Sequence, residues 1–265
     1  MNETQRSTYL STCELADGTR PLAECVADRV APVAPLMIPR TLSSAPEAAV
    51  VGGSLVAFAD SVSRQNKEDV MDSLLFATLV ANKAANPETE SDRWYQQFNT
   101  VLATLGWFSS NWRYARYQAS QRRFTMDEVG LEIIKAALAA AALPGPASLA
   151  MLKIAKDALT ALSAKDGPLG LFERQTKTSH GGNFRIASCY QNADGDISLA
   201  MGAVAFRSQL SITNVLFWEW SSADVETYRG ENNLTLNSRA YANHRALVQE
   251  RLGNNLKTAI AEFAI

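Results

Sequence analysis

Apolar positions recur at helical spacing in the front half of the chain. Val70, Leu74, Leu75, Leu79 and Val80 follow Asn66, Glu68 and Asp69, residues that suit a helix N-terminus, and Asn86-Pro87 ends the run. A second helix is predicted from Ser91, through Trp94, Phe98, Val101, Leu102 and Leu105, to Gly106. From Trp112 to Phe124 the pattern changes to alternation, which predicts a strand. Thr125 and Glu128 form a capping-box pair that opens an apolar helical hairpin. Its arms are Leu131–Leu143 and Ala147–Leu162, split by Pro144-Gly145-Pro146 and ended by the Gly and Pro residues around Asp166–Gly170.

The last third turns to β structure. Strands are predicted at Phe184–Gln191, Ile197–Arg207 and Ser211–Trp220, with a turn at Asn192-Ala193-Asp194-Gly195 and a short extension at Glu226–Arg229. Helices are predicted to close the chain at Ser238–Leu252 and Asn255–Phe263. This order predicts an α+β fold: a mainly antiparallel sheet of about four strands packed with helices. Residues 1–50 hold five prolines (Pro21, Pro32, Pro35, Pro39, Pro46) and little periodicity, so they are expected to form an arm, with one short helix near Leu22–Val30; residues 51–265 form the domain.

Neither hairpin arm is long and apolar enough for a transmembrane helix, since Glu132, Lys135, Lys153, Lys156 and Asp157 interrupt them. Met1–Leu10 is polar with no apolar run behind it, so the chain is expected to be cytoplasmic as synthesised, with any export by a route other than a Sec signal peptide.

Composition narrows the chemistry. Lys+Arg 25 against Asp+Glu 27 leaves a net charge of −2, which supplies no field to recruit nucleic acid. With 2 histidines and 3 cysteines in 265 residues, neither a zinc site nor a disulfide scaffold is expected, and no metal is assigned. Walker, Rossmann, GxSxG and HExxH motifs are absent, which removes support from nucleotide chemistry and the common hydrolases. Ala193-Asp194-Gly195-Asp196 lacks the further ligands of a calcium loop and is expected to be a turn. Arg113, Arg116, Arg122 and Arg123, interleaved with Trp112, Tyr114 and Tyr117, fit either a phosphate or lipid headgroup or a charged, solvated edge strand. The Leu216–Trp220 aromatic run fits core packing or a membrane interface.

Cys189 is the residue of most interest. On a strand it shares a face with Arg185, Ala187 and Gln191; should that face meet Ala200 and Gly202, beside Val204 and Phe206, the thiol overlooks a groove of small residues that could take an acyl chain. A packed core thiol is the plainer reading. As a nucleophile Cys189 would need a base, and the candidates are His180 and His244. Nine residues of extended chain would carry His180 ~30 Å away.

The apolar hairpin after Phe124-Thr125-Met126-Asp127, the Phe184–Tyr190 strand with its cysteine and the Val215–Trp220 segment together resemble the Erwinia virulence factor family, over about residues 50–265. The resemblance implies an α/β fold, a role in bacterial persistence in the insect gut, and palmitate held as a thioester on a buried cysteine. Cys189 is the position that would inherit the acyl group, because Cys13 and Cys25 precede the matching region. Three functions stay open: a virulence-type protein holding a long-chain fatty acid, with a membrane surface as a partner; an acyl-transfer enzyme with Cys189 as nucleophile; and a ligand-free interaction module. The ligand site expected on the first reading comprises Ala187, Cys189, Ala200, Gly202 and Val204, with no cofactor beyond the acyl group.

Overall fold

The computed structural model describes residues 1–27, 47–110, 112–140, 145–210, 212 and 214–265, with the backbone alone for residues 25–27. Among them the chain forms helices α1 (Glu3–Thr12) and α2 (Leu22–Ala27), strands β1 (Glu47–Val51) and β2 (Ser54–Phe58), and helices α3 (Arg64–Ala84) and α4 (Ser91–Thr104). Strands β3 (Trp107–Ser109), β4 (Arg113–Arg116) and β5 (Arg123–Phe124) lead to helices α5 (Met126–Ala140), α6 (Gly145–Ser163) and α7 (Asp166–Thr176). Strands β6 (Gly181–Gln191), β7 (Ile197–Ser208), β8 (Trp220–Ser221) and β9 (Val225–Leu236) follow, then α8 (Ser238–Ala242), α9 (Arg245–Leu252), α10 (Asn255–Thr258) and β10 (Ile260–Ala264).

Eight of the strands make one sheet in the order β10-β1-β2-β6-β7-β9-β3, with β4 also on β9, and β5 pairs separately with β8. Every pairing in the large sheet is antiparallel except β2 with β6. The α+β class with a mainly antiparallel sheet is therefore present, but the sheet has twice the expected number of strands.

Both sides of the sheet are covered, giving three layers. One core joins Val56, Phe58, Ala187, Cys189, Leu199, Met201, Ala203 and Ala205 to the buried faces of α3 and α4, with Tyr241 and Val248 from the C-terminal helices. The other joins Leu55, Ala57, Phe184, Ile186, Ala200, Val204 and Phe206 to α5, α6 and α7. Because each strand contributes alternate residues to each core, β6 and β7 are buried almost throughout. Ser63 caps α3 by accepting from the Asn66 amide, and Thr125 and Glu128 meet at the start of α5, where the Thr125 amide donates to Glu128 at 3.0 Å.

The differences from the sequence reading have local causes. β1 and β2 form a hairpin around Gly52 and Gly53, whose φ values of 52° and 73° suit a tight two-residue turn. β1 starts inside the segment expected to be an arm, and α1 is helical with Asn2 and Gln5 in a reciprocal capping box. The expected helix over 22–30 is described only as far as Ala27. The second hairpin arm ends at Ser163, just before Asp166–Gly170 as expected, but that stretch also starts a new helix, α7, where Pro168 lies in the first turn and removes no needed hydrogen bond. Apart from Trp220, the segment expected as a third strand contains no described strand residue; the long third strand is β9. The predicted helix at 255–263 is the short α10 followed by β10, which closes the sheet on β1. The predicted helix at 238–252 is two helices, α8 and α9, separated at Asn243-His244.

Candidate functional site

Cys189 lies near the C-terminal end of β6, with its thiol fully buried. In the paired strands it stands opposite Leu199 of β7 and beside Phe58 of β2, and its carbonyl accepts the Ala59 amide at 3.0 Å. Burial pushes the thiol's pKa up to about 12, against a weaker downward pull from Lys67. Lys67 itself pairs with Glu47 at 2.9 Å. A thiol in this state is almost wholly protonated at neutral pH and a poor nucleophile.

The register divides the expected ligand site. Opposite residues of an antiparallel pair share a face, and Ala200, Gly202 and Val204 stand opposite Ser188, Ile186 and Phe184. They therefore belong to the α5 side, while Ala187 and Cys189 belong to the α3–α4 side. The small residue at Gly202 admits a helix rather than a ligand: a Cβ there would lie 3.1 Å from the Gly130 carbonyl and 3.2 Å from Ile133 of α5. On the Cys189 side the small residues are Ala187, Ala203 and Ala205. Aromatic side chains occupy the space beyond them; Trp112 packs so closely on Gly230, the partner of Ala203, that a Cβ at Gly230 would come within 2.5 Å of its ring.

Neither histidine is brought to the thiol. His180 precedes the opposite end of β6, with its carbonyl bound by the Ser208 amide at 2.7 Å, and extended chain places it roughly 30 Å from Cys189. Its imidazole is largely exposed, and its Nδ1 lies 3.3 Å from the buried Glu88 carboxylate. His244 is buried at the start of α9, where its Nδ1 lies 3.4 Å from Ser7 Oγ of α1. Burial lowers its pKa, with Glu3 opposing and Arg6 adding to the effect. Cys13 is a free, buried thiol near Tyr9, and the side chain of Cys25 lies outside the described residues.

Two strand positions before Ala187, on the Cys189 face, sits a residue that the strand alternation places there without giving it a role. Arg185 is only 1% exposed and has no carboxylate at ion-pair distance among the described residues. Its Nε donates to Ser54 Oγ at 2.8 Å, its Nη2 donates to the Gly52 carbonyl, and its guanidinium lies 4.8 Å from the Trp94 ring centroid and 5.1 Å from that of Phe98. Burial lowers its pKa to about 10, partly offset by Tyr95. An arginine inside an otherwise apolar strand was the available signal. Among the described residues no group of three or more His, Cys, Asp and Glu side chains is placed to hold a metal, and no helix is long and apolar enough to cross a membrane.

No family model matches the chain, and no curated protein matches it. Among solved structures, that of the Evf virulence factor aligns with 76% of this chain and 82% of its own at 12% identity and a TM-score of 0.32. A delta-endotoxin structure aligns with 78% of this chain and 90% of its own at 13% identity and a TM-score of 0.33. Likenesses this distant carry no argument about activity.

Proposed function

We propose that the protein is a non-catalytic, virulence-type carrier of one long-chain fatty acyl group, stored as a thioester on Cys189 between the sheet and the α3–α4 layer. The virulence part rests on the sequence resemblance alone. The supporting observation for storage is the setting of the thiol: fully buried, in an apolar layer, with neither histidine beside it. A thioester in that layer is shielded from water, and among the described residues neither histidine is placed to activate an attacking group, while the nearby Lys67 is held by Glu47. Each buried methylene would contribute on the order of 0.8 kcal/mol to retention.

Attachment follows from the same setting. The Cys189 sulfur attacks the carbonyl carbon of an acyl thioester, a new C–S bond forms, and the donor's thiol leaves with a proton. A thiol with its pKa near 12 does this poorly in the closed fold. Acylation therefore precedes closure of α3–α4 over the sheet, and the acyl chain lies along Ala187, Ala203 and Ala205, with the side chains now in that layer repacking around it.

The test is to present palmitoyl-coenzyme A to the folded protein and, separately, to the protein during refolding, and to weigh both products. Acylation at Cys189 during refolding alone supports the proposal. No adduct under either condition supports the ligand-free module, the reading that full burial of the thiol favours if no acyl group is attached.

A further inference from the structure

A second location lies at the His180 end of β6, opposite the end that carries Cys189. A cleft of about 670 Å³ opens where the ends of β7 and β9 meet the Glu88 loop and the loop before β9. This volume falls within the ordinary range for small-molecule sites. Arg207 stands opposite Glu226 in the β7–β9 pair, and Arg116 stands opposite Tyr228 in the β4–β9 pair. Glu226 and Tyr228 are two residues apart on β9, so both arginines and both partners share one face of the sheet. Their convergence shows at the Tyr228 phenol: its hydrogen bond to Glu226 raises its pKa, while Arg116 and Arg207 both pull it down.

The charges in the cleft are unequally committed. Glu88 accepts the His180 amide at 2.8 Å and lies beside the His180 ring. Glu226 accepts the Tyr228 hydroxyl at 3.0 Å and lies 3.7 Å from Arg116. Arg207 has no carboxylate at ion-pair distance among the described residues, and the Asp224 carboxylate has no hydrogen bond or ion pair among them. The cleft thus offers a guanidinium for an anion and a carboxylate that repels a bare anion but accepts hydroxyl protons, with the Ser222 hydroxyl and the Gln209 amide in the same wall. A neighbouring cavity of about 310 Å³ shares Arg116, Ser222 and Val225, and adds the rings of Tyr117 and Phe124.

We infer that this cleft binds an acidic saccharide: the anionic substituent on Arg207 and Arg116, the sugar hydroxyls on Asp224 and Ser222, and a second ring reaching toward Tyr117. One reading of the arginine-rich, aromatic segment around Arg116 in the sequence was an anion contact, and the β4–β9 pairing sets Arg116 beside this cleft. The site stands independently of any acyl group on Cys189.

Calorimetric titration of the full chain tests this with glucose 6-phosphate, sialic acid and a sulfated heparin disaccharide as probes, and with glucose and inorganic phosphate as controls. At least one acidic sugar should bind on the order of tenfold or more tighter than either control, because a charge-assisted contact and the hydroxyl contacts then act together. Arg207→Gln should weaken that binding on the order of tenfold or more. Asp224→Asn should weaken the sugar several-fold without weakening inorganic phosphate. Thermal unfolding of both variants should match the parent, which separates lost binding from lost folding. The inference is overturned if none of the three acidic sugars binds below about 10 mM, if glucose or inorganic phosphate binds as tightly, or if Arg207→Gln binds like the parent.

Discussion

Cys189 faces Leu199 across the β6–β7 pair, and Ala200, the next residue on β7, points to the opposite side of the sheet. A one-residue difference in register thus decides which helical layer meets the thiol. It places Cys189 in the core of Ala187, Ala203 and Ala205 and leaves Gly202 on the other face.

The first prediction concerns pH. In the unacylated protein the folded thiol keeps its proton up to about 12, against an ordinary value of 9.0. Above pH 9 the unfolded state therefore binds fewer protons, and stability falls as pH rises toward 12, by up to roughly 1.4 kcal/mol per pH unit. Cys189→Ala removes this contribution. Urea unfolding of both proteins at pH 8, 9 and 10 should show a shallower decline for the variant.

Gly202 should tolerate no added bulk. A side chain there meets the Gly130 carbonyl and Ile133 of a packed helix. Gly202→Val is expected to cost about 1–3 kcal/mol through overpacking. If the position lined an empty tunnel, the cost would be small, and urea unfolding distinguishes the two.

Arg185 joins the β1–β2 turn to the aromatic face of α4. Lysine retains the charge but cannot donate to Ser54 and Gly52 while lying flat on Trp94 and Phe98. Arg185→Lys should therefore destabilise the protein by about 2 kcal/mol. Chemical denaturation measures this directly.

The buried Asp69 carboxylate is held by Arg245, whose Nε and Nη2 each lie 2.7 Å from one of its oxygens. Asp69→Ala empties a buried site and removes the bidentate partner of Arg245, which stays partly exposed and within the field of Asp72, at an expected cost of about 1–3 kcal/mol. A lowered thermal midpoint, with the far-ultraviolet spectrum retained at low temperature, would show that α9 docking on α3 rests on this pair.

Much of the architecture was legible where one physical signal dominated. Strands β6 and β7 and the Asn192–Gly195 turn stood out because long apolar, β-rich runs flank a short polar break. The cores of α3 and α4 followed from their apolar spacing. Of β9 only the Glu226–Arg229 stretch was legible, because Gly230, Asn232 and Asn233 weaken the local preference beyond it and only its neighbours hold that part extended. β10 depends on β1, a partner more than two hundred residues away, which no local pattern reveals. At the site, Cys189 was visible as a strand thiol, but its facing residues were not. They depend on the β6–β7 register, and that register sends Ala200, Gly202 and Val204 to the other core.

The most direct test of the central claim is the intact mass of the protein purified from its native host. A fatty-acyl increment mapped to the Cys189 peptide, released by neutral hydroxylamine and absent from Cys189→Ser, is the predicted result. An unmodified mass for the natively produced protein, or an acyl group mapped to another residue, would contradict storage on Cys189.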